Sequence, residues 1–332
     1  MSTPDPNQAL ADGQSAPVQT ASFADLFQRI VGSVERVIQG KTEVIELVVL
    51  ALMSEGHVLI EDRPGVGKTT LAKALATSVD ASFGRIQFTP DLLPSDVVGV
   101  TVWERDAARF TFRPGPIFNN LVLADEINRA SPKTQSALLE AMAEGQVTID
   151  GQSRPLSRPF VVIATQNPIE HEGTYPLPDS QLDRFLMRIT VGYPSRDDEI
   201  SILDTHGESD GLENLQPVIN AASIAAMIRA VKGVHVAPAV RAYLVDLAEA
   251  SRGHPAVWVG MSPRATLALQ RVARARAAAS GRAYVSPDDI KALAEPVLSH
   301  RLLLTPDAQL QGIEPERVVA EIVHQVPVPV PA

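Results

Sequence analysis

The chain has no cysteine. That removes thiolate nucleophiles, zinc–thiolate centres, disulfide staples and thiol redox chemistry, and is compatible with a reducing compartment. No Lys or Arg precedes Arg29, so residues 1–28 lack the positive segment that opens a secretory signal. No apolar run approaches the roughly 18 residues of a membrane span. A soluble, cytoplasmic protein is expected. Positive charge is also in the minority, with 29 Lys plus Arg against 39 Asp plus Glu and a formal charge of −10. The field of the whole molecule therefore repels phosphate backbones at long range, and a nucleic-acid partner would need a local basic patch. Internal repeats are missing as well.

What is present is ordinary globular material: 332 residues, 45% hydrophobic and 20% charged. This excludes a collagen-like or wholly disordered chain, and the length suits about two domains burying about three quarters of their unfolded surface. Residues 1–21, rich in Ala, Pro, Gln, Ser, Thr and Asp without periodicity, read as a disordered tail. Residues 326–332 alternate Val with Pro and read as an extended one.

Between the tails, short runs rich in Val, Ile and Leu alternate with helical patterns. The runs are His57–Glu61, Arg85–Thr89, Leu121–Ala124, Phe160–Thr165 and Phe185–Val191. Continuous apolar strands of this length fit a parallel sheet covered on both faces, so residues 22–194 are expected to form an α/β domain with five parallel strands. From 195 to 325 the apolar residues fall at helical spacing, as in Ile224, Met227, Ile228 and Val231, and helix starts are marked by Pro238, Ser262-Pro263 and Ser286-Pro287. A small all-helical domain is expected there.

The chemistry concentrates at strand ends. After the first strand comes Glu61-Asp-Arg-Pro-Gly65-Val-Gly67-Lys68-Thr69-Thr70, followed by a helical pattern from Leu71. A glycine-rich loop between strand and helix turns backbone N–H groups around phosphates, Lys68 reaches the β and γ oxygens, and the Thr69 hydroxyl can ligate Mg²⁺. The general pattern G-x-x-x-x-G-K-[ST] would have glycine where this chain has Asp62; since Asp tolerates left-handed backbone, the turn is expected to survive. The third strand ends in Asp125 and Glu126, where open α/β sheets bind ligands. Asp125 is suited to holding Mg²⁺ through water and Glu126 to deprotonating the attacking water. After the fourth strand, Asn167 is placed to bridge the γ-phosphate and that water.

Taken together, these segments resemble an AAA+ ATPase, and more narrowly the MoxR family of chaperone-like ATPases. The resemblance covers roughly residues 25–325. It is carried by Glu61–Thr69, by Thr89-Pro-Asp-Leu-Leu-Pro-Ser-Asp96, by Ala124-Asp-Glu-Ile-Asn-Arg-Ala130, by Ala164-Thr-Gln-Asn-Pro168 and by Glu172–Phe185. It implies an AAA+ P-loop core with a helical lid, ATP and Mg²⁺ as ligands, and a hexameric ring. It assigns Pro64, Gly65, Val66, Gly67, Lys68, Thr69 and Thr70 to Walker A, Asp125 and Glu126 to Walker B, and Asn167 to sensor 1. Arg184 in Leu182-Asp-Arg-Phe looks like an arginine finger, with Arg188 the weaker candidate, and Arg264 in Met261-Ser-Pro-Arg looks like sensor 2. Val37, Ile38 and Gly40 lie where the family packs adenine.

Two stretches, Gly99–Arg113 and Gly145–Pro159, read as β-hairpins that in this family line the ring pore or face the client. Partners in the family often carry a von Willebrand factor A domain. The leading reading is an ATPase that remodels, activates or assembles protein partners. A metal-chelatase ATPase subunit and a nucleic-acid motor remain alternatives. Against the motor stand the charge balance and the lack of a Gly-Ala-Phe-Thr-Gly-Ala loop. The basic cluster Arg264, Arg271, Arg274, Arg276 and Arg282 reads as a solvated face of the lid.

Overall fold

The computed structural model describes residues 22–106, 108–168, 173–206 and 211–329. The readings made for residues 1–21, for Glu172 and for the last three residues lie outside it. The chain begins with α1 (Phe23–Glu35), α2 (Thr42–Met53), β1 (Val58–Glu61), α3 (Lys68–Ser78) and β2 (Phe83–Gln87). Then follow α4 (Pro94–Val98), β3 (Gly99–Glu104), β4 (Arg109–Pro114), β5 (Leu121–Asp125) and α5 (Pro132–Glu144). The core closes with β6 (Gln146–Ile149), β7 (Gln152–Pro155), β8 (Val161–Gln166), α6 (Asp179–Leu182) and β9 (Met187–Ile189).

Five strands pair in the order β2-β5-β8-β1-β9, every pairing parallel. One observed strand stands at each run expected from the sequence. Helices cover both faces of the sheet, so β5 is buried along its whole length, and β8 is buried up to Gln166. The edge strand β2 instead alternates buried and exposed positions, which places Arg85 and Gln87 on one face. Both expected hairpins are present, as β3–β4 and β6–β7.

The remaining elements are α7 (Arg196–His206), α8 (Ala221–Gly233), α9 (Pro238–Gly253), β10 (Val257–Val259), α10 (Pro263–Ala279), α11 (Pro287–Leu298), β11 (Leu303–Leu304), α12 (Pro306–Leu310) and α13 (Pro315–Gln325). The caps read from the sequence operate: the Ser262 hydroxyl accepts the Ala265 N–H, and the Ser286 N–H and hydroxyl both donate to the Asp289 carboxylate in the first turn of α11. The lid is not all helical, however. β10 and β11 pair antiparallel, with β10 packed against α9. Strands of two and three residues give no alternation to read, and their pairing depends on a partner more than 40 positions away. A continuous apolar core, including Phe27, Leu52, Leu71, Leu247, Leu269 and Leu293, runs from α1–α3 into the lid helices.

Candidate nucleotide-binding site

The ends of β1, β5 and β8 converge on a cleft of about 330 Å³ lined by Pro64, Gly65, Gly67, Lys68, Thr69, Thr70, Asp125, Glu126, Thr165 and Asn167. Gly65 and Gly67 have φ of +84° and +88°. A Cβ at Gly65 would meet nothing within 4 Å, and one at Gly67 would meet only Ile38 Cδ1 at 3.5 Å. The inner wall is therefore bare backbone at the N-terminus of α3, where the helix dipole favours an anion. Those features fit a nucleotide phosphate chain. Thr69 Oγ1 lies 3.3 Å from Asp125 Oδ2, the pairing expected of Mg²⁺ donors. Among the described residues no group of three or more His, Asp or Glu is suited to a metal.

The two carboxylates are organised by a residue that sequence reading passed over. Thr165, fully buried in β8, donates its hydroxyl to Asp125 Oδ1 at 2.6 Å and accepts the Glu126 N–H at 2.9 Å. Glu126 has left-handed backbone, φ 56° and ψ 49°. That costs about 1–2 kcal/mol for a residue other than glycine and turns its side chain out of the strand line. Its Oε2 accepts from Gln87 Nε2 and Arg129 Nη1, both at 3.1 Å. Arg85 Nη2 donates to Asp125 Oδ2 at 2.8 Å. The signal for Arg85 and Gln87 was available in the alternating Phe83-Gly-Arg-Ile-Gln of an edge strand. What the sequence alone could not supply was the register that sets Gln87 beside Asp125.

The expectation for Asp62 needs correction, since it is not among the residues with positive φ. Its side chain explains it instead: Oδ1 accepts the Arg63 N–H and Oδ2 accepts the Gly192 N–H, while its carbonyl accepts Lys68 Nζ. Val37, Ile38, Gly40 and Val66 do not line the cleft. Val37 and Ile38 both belong to the apolar core, and Ile38 also abuts Gly67.

Arg184 and Arg264 are brought together in a second cleft of about 190 Å³, with Asp183, Arg271 and Arg301. Arg301 Nε donates to Asp183 Oδ1 at 2.7 Å, and Arg264 Nε stands 4.0 Å from Asp183 Oδ2. Arg184 Nη1 donates to the Leu139 carbonyl at 2.6 Å. Beside this cleft, burial pushes the His300 imidazole well below its ordinary value, and the Arg301 charge adds to that. Arg188 is engaged within its own chain by Glu61 and Glu316, tying β9 to β1 and α13. Nor are the five lid arginines one solvated face: Arg276 and Arg282 pair with the buried Asp289, while Arg264 pairs with Asp183.

Comparison with known proteins agrees with this geometry. Residues 57–187 match the model of the ATPase family associated with various cellular activities (AAA), and residues 249–322 match the AAA lid domain. Chaperone MoxR1 of Mycobacterium tuberculosis is 40% identical over 96% of this chain and 85% of its own length. The chain belongs to the MoxR family of AAA+ ATPases. The uncharacterized protein YeaC of Bacillus subtilis is 50% identical over 92% of this chain and 95% of its own. A crystal structure of a protein from Cytophaga hutchinsonii, provisionally assigned as an ATPase, superposes with a TM-score of 0.87 at 35% identity, covering 92% of this chain and 96% of that one. The MoxR relationship thus spans both the P-loop core and the lid. Among the described residues no helix is long and apolar enough to cross a membrane.

Proposed function

We propose that this protein hydrolyses ATP with Mg²⁺, closes a hexameric ring in the cytoplasm, and uses turnover to remodel, activate or assemble partner proteins. The observation that supports this most directly is the shared cleft: phosphate loop, both carboxylates, Thr165 and Asn167 all line it. Lys68 and the N–H groups of Gly65–Thr70 hold the phosphates, and Thr69 with Asp125 holds the metal. Mg²⁺, when bound, neutralises charge on the β and γ oxygens. Glu126 accepts a proton from the attacking water while Asn167 orients that water. Ile38, whose side chain abuts Gly67, borders the base together with Val37 and Gly40 of the same segment.

Arg184 and Arg264 share a cleft other than the one lined by the phosphate loop. Their arrangement favours action on the nucleotide of the adjoining subunit, where a positive group near the transferred phosphoryl is worth on the order of 10³–10⁵ in rate. The β3–β4 hairpin presents Trp103 and Phe110, 53% and 71% exposed and packed edge to face at 5.0 Å. Such an apolar pair on a projecting ribbon suits contact with a polypeptide client. A protein with a von Willebrand factor A domain is the partner the family relationship suggests.

The test is phosphate release and mass in solution. Wild type should turn over ATP and assemble with Mg-ATP at micromolar concentration, and Lys68→Ala should abolish turnover. Turnover that survives Lys68→Ala, or a protein that stays monomeric, overturns the proposal. A Glu126→Gln ring held with Mg-ATP is then the bait for partners. Recovery of nucleic acid or chelatase subunits instead of a von Willebrand factor A protein would replace the client assignment and leave the ATPase core standing.

A further inference from the structure

Asp62 is 7% exposed at the first position of the phosphate loop, and all its polar groups are engaged across three segments of the chain. Its N–H donates to the Gln166 carbonyl in β8 at 3.2 Å. Its carbonyl accepts Lys68 Nζ at 2.6 Å. Its carboxylate accepts the Arg63 N–H at 2.7 Å on one oxygen and the Gly192 N–H at 2.5 Å on the other. Gly192 lies in the linker between β9 and α7, the chain's exit from the core toward the lid.

The same linker is gripped twice more from the nucleotide side. Lys41 Nζ donates to the Tyr193 carbonyl at 2.7 Å, and the Arg63 guanidinium stands 5.6 Å from the centre of the Tyr193 ring. Further along, the Asp198 carboxylate packs on Gly40 so closely that a Cβ there would lie 2.1 Å from Oδ2. Asp198 itself accepts the Ser195 hydroxyl at 2.6 Å.

We propose that Asp62 is a coupling residue that transmits nucleotide occupancy of the phosphate loop to the segment from Gly192 into the first turn of α7 and so to the lid. The proposal rests on the ATPase reading above. Its physical basis is that one residue holds both ends. An ammonium has three donors, so Lys68 can keep the Asp62 carbonyl as an orienting partner while it serves phosphate oxygens. A displacement of Lys68 toward phosphate then acts on the residue whose carboxylate fixes Gly192. A carboxylate accepting backbone N–H groups makes bonds roughly twice as strong as neutral ones. A glycine at position 62 would keep the carbonyl for Lys68 but lose the hold on the linker. That accounts for an acidic residue where the general loop pattern has glycine.

The experiment is hydrogen exchange on the full chain, following peptides that cover residues 190–199 with and without Mg-ADP, in wild type, Asp62→Ala and Asp62→Asn. Wild type should exchange more slowly there when Mg-ADP is bound. Asp62→Ala should lose that difference while binding Mg-ADP within about threefold of wild type, and its kcat should fall roughly tenfold with little change in KM. Asp62→Asn, whose amide oxygen still accepts one N–H, should recover part of the difference. General destabilisation would raise exchange in both states and leave their difference intact, which separates coupling from a structural role. The proposal is overturned if Asp62→Ala keeps the nucleotide-dependent difference, or if it loses Mg-ADP binding, which would assign Asp62 to the loop alone. Wild type that binds Mg-ADP without protecting 190–199 removes the coupling only; wild type that binds none removes the ATPase reading and the coupling with it.

Discussion

Thr165→Val tests how the Asp125 and Glu126 carboxylates are held. The substitution nearly keeps shape and deletes one hydroxyl, which donates to Asp125 Oδ1 and accepts the Glu126 N–H inside a fully buried environment. The buried Asp125 carboxylate and the partly buried Glu126 N–H then lose a partner. A hydrogen bond to a charged group contributes about 1.5–3 kcal/mol, and an orphaned buried N–H costs about 1–3 kcal/mol, so roughly 3 kcal/mol of stability should be lost. Catalysis should suffer separately. Glu126 sits in a left-handed conformation that costs about 1–2 kcal/mol, and the Thr165 hydroxyl is its backbone anchor. Once released, Glu126 relaxes away from the position in which it is proposed to activate water, and kcat should drop by about 10- to 100-fold. Lys68 and the phosphate loop are untouched, so ADP affinity should stay near wild type. Thr165→Ser retains the hydroxyl and should restore most of the rate. The measurements are a coupled ATPase assay, titration with a fluorescent ADP and urea unfolding. A folded Thr165→Val protein with kcat within twofold of wild type refutes the reasoning.

Gly65→Ala separates stability from binding: the strained φ of +84° makes alanine cost about 1–2 kcal/mol. Its methyl enters open space on the protein side, where the phosphates belong. Nucleotide affinity should therefore fall by at least about tenfold while urea unfolding shifts modestly, and unchanged affinity by calorimetry would count against the cradle. Acid should destabilise the fold through His57, whose burial lowers its pKa from 6.5 to about 4 despite the bond to the Met142 carbonyl. A folded-state pKa below the unfolded one gives stability that is complete above pH 6.5 and lost as pH falls toward 4, roughly 3 kcal/mol in all and about 2 kcal/mol of it by pH 5. His300 acts in the same direction. Urea midpoints that do not fall between pH 7.5 and 5, or that fall equally in His57→Gln, would contradict this.

The parallel strands and the phosphate loop were legible because their signals are local: a buried central strand is a continuous apolar run, and glycine beside lysine at a strand end has few other uses. The first hairpin was legible from alternation in Val100, Val102, Phe110 and Phe112, and the second from Val147, Ile149 and the turn at Asp150-Gly151. What escaped depends on register. Thr165 reads as one more β-branched strand residue until β8 is set beside β5. Arg85 and Gln87 read as the polar face of an edge until β2 pairs with Asp125's strand. Asp62 was read from its backbone tolerance, whereas its explanation is a hydrogen bond to Gly192, 130 positions away. The lid arginines were read as solvated because their partners, Asp183 and Asp289, are assigned only by packing.

The separation of Arg184 from the phosphate loop has a consequence that mixed rings expose. If each ATP is served by the loop of one subunit and the arginine of the next, Lys68→Ala and Arg184→Ala break opposite halves of every site. Each variant alone should be nearly inactive, the first for want of phosphate binding and the second for want of charge on the transferred group. In an equal mixture that assembles at random, an interface regains activity when an Arg184→Ala subunit offers its intact loop to the arginine of a Lys68→Ala neighbour. That pairing occurs at about a quarter of interfaces, so turnover should recover to roughly a quarter of wild type if sites act independently, and less if they are coupled. A within-chain role for Arg184 predicts no recovery at any ratio, because no subunit would then own a complete site. Mixing therefore decides the point without knowledge of the client: recovery requires a shared site, and its absence in rings shown to exchange subunits places Arg184 outside the neighbour's chemistry.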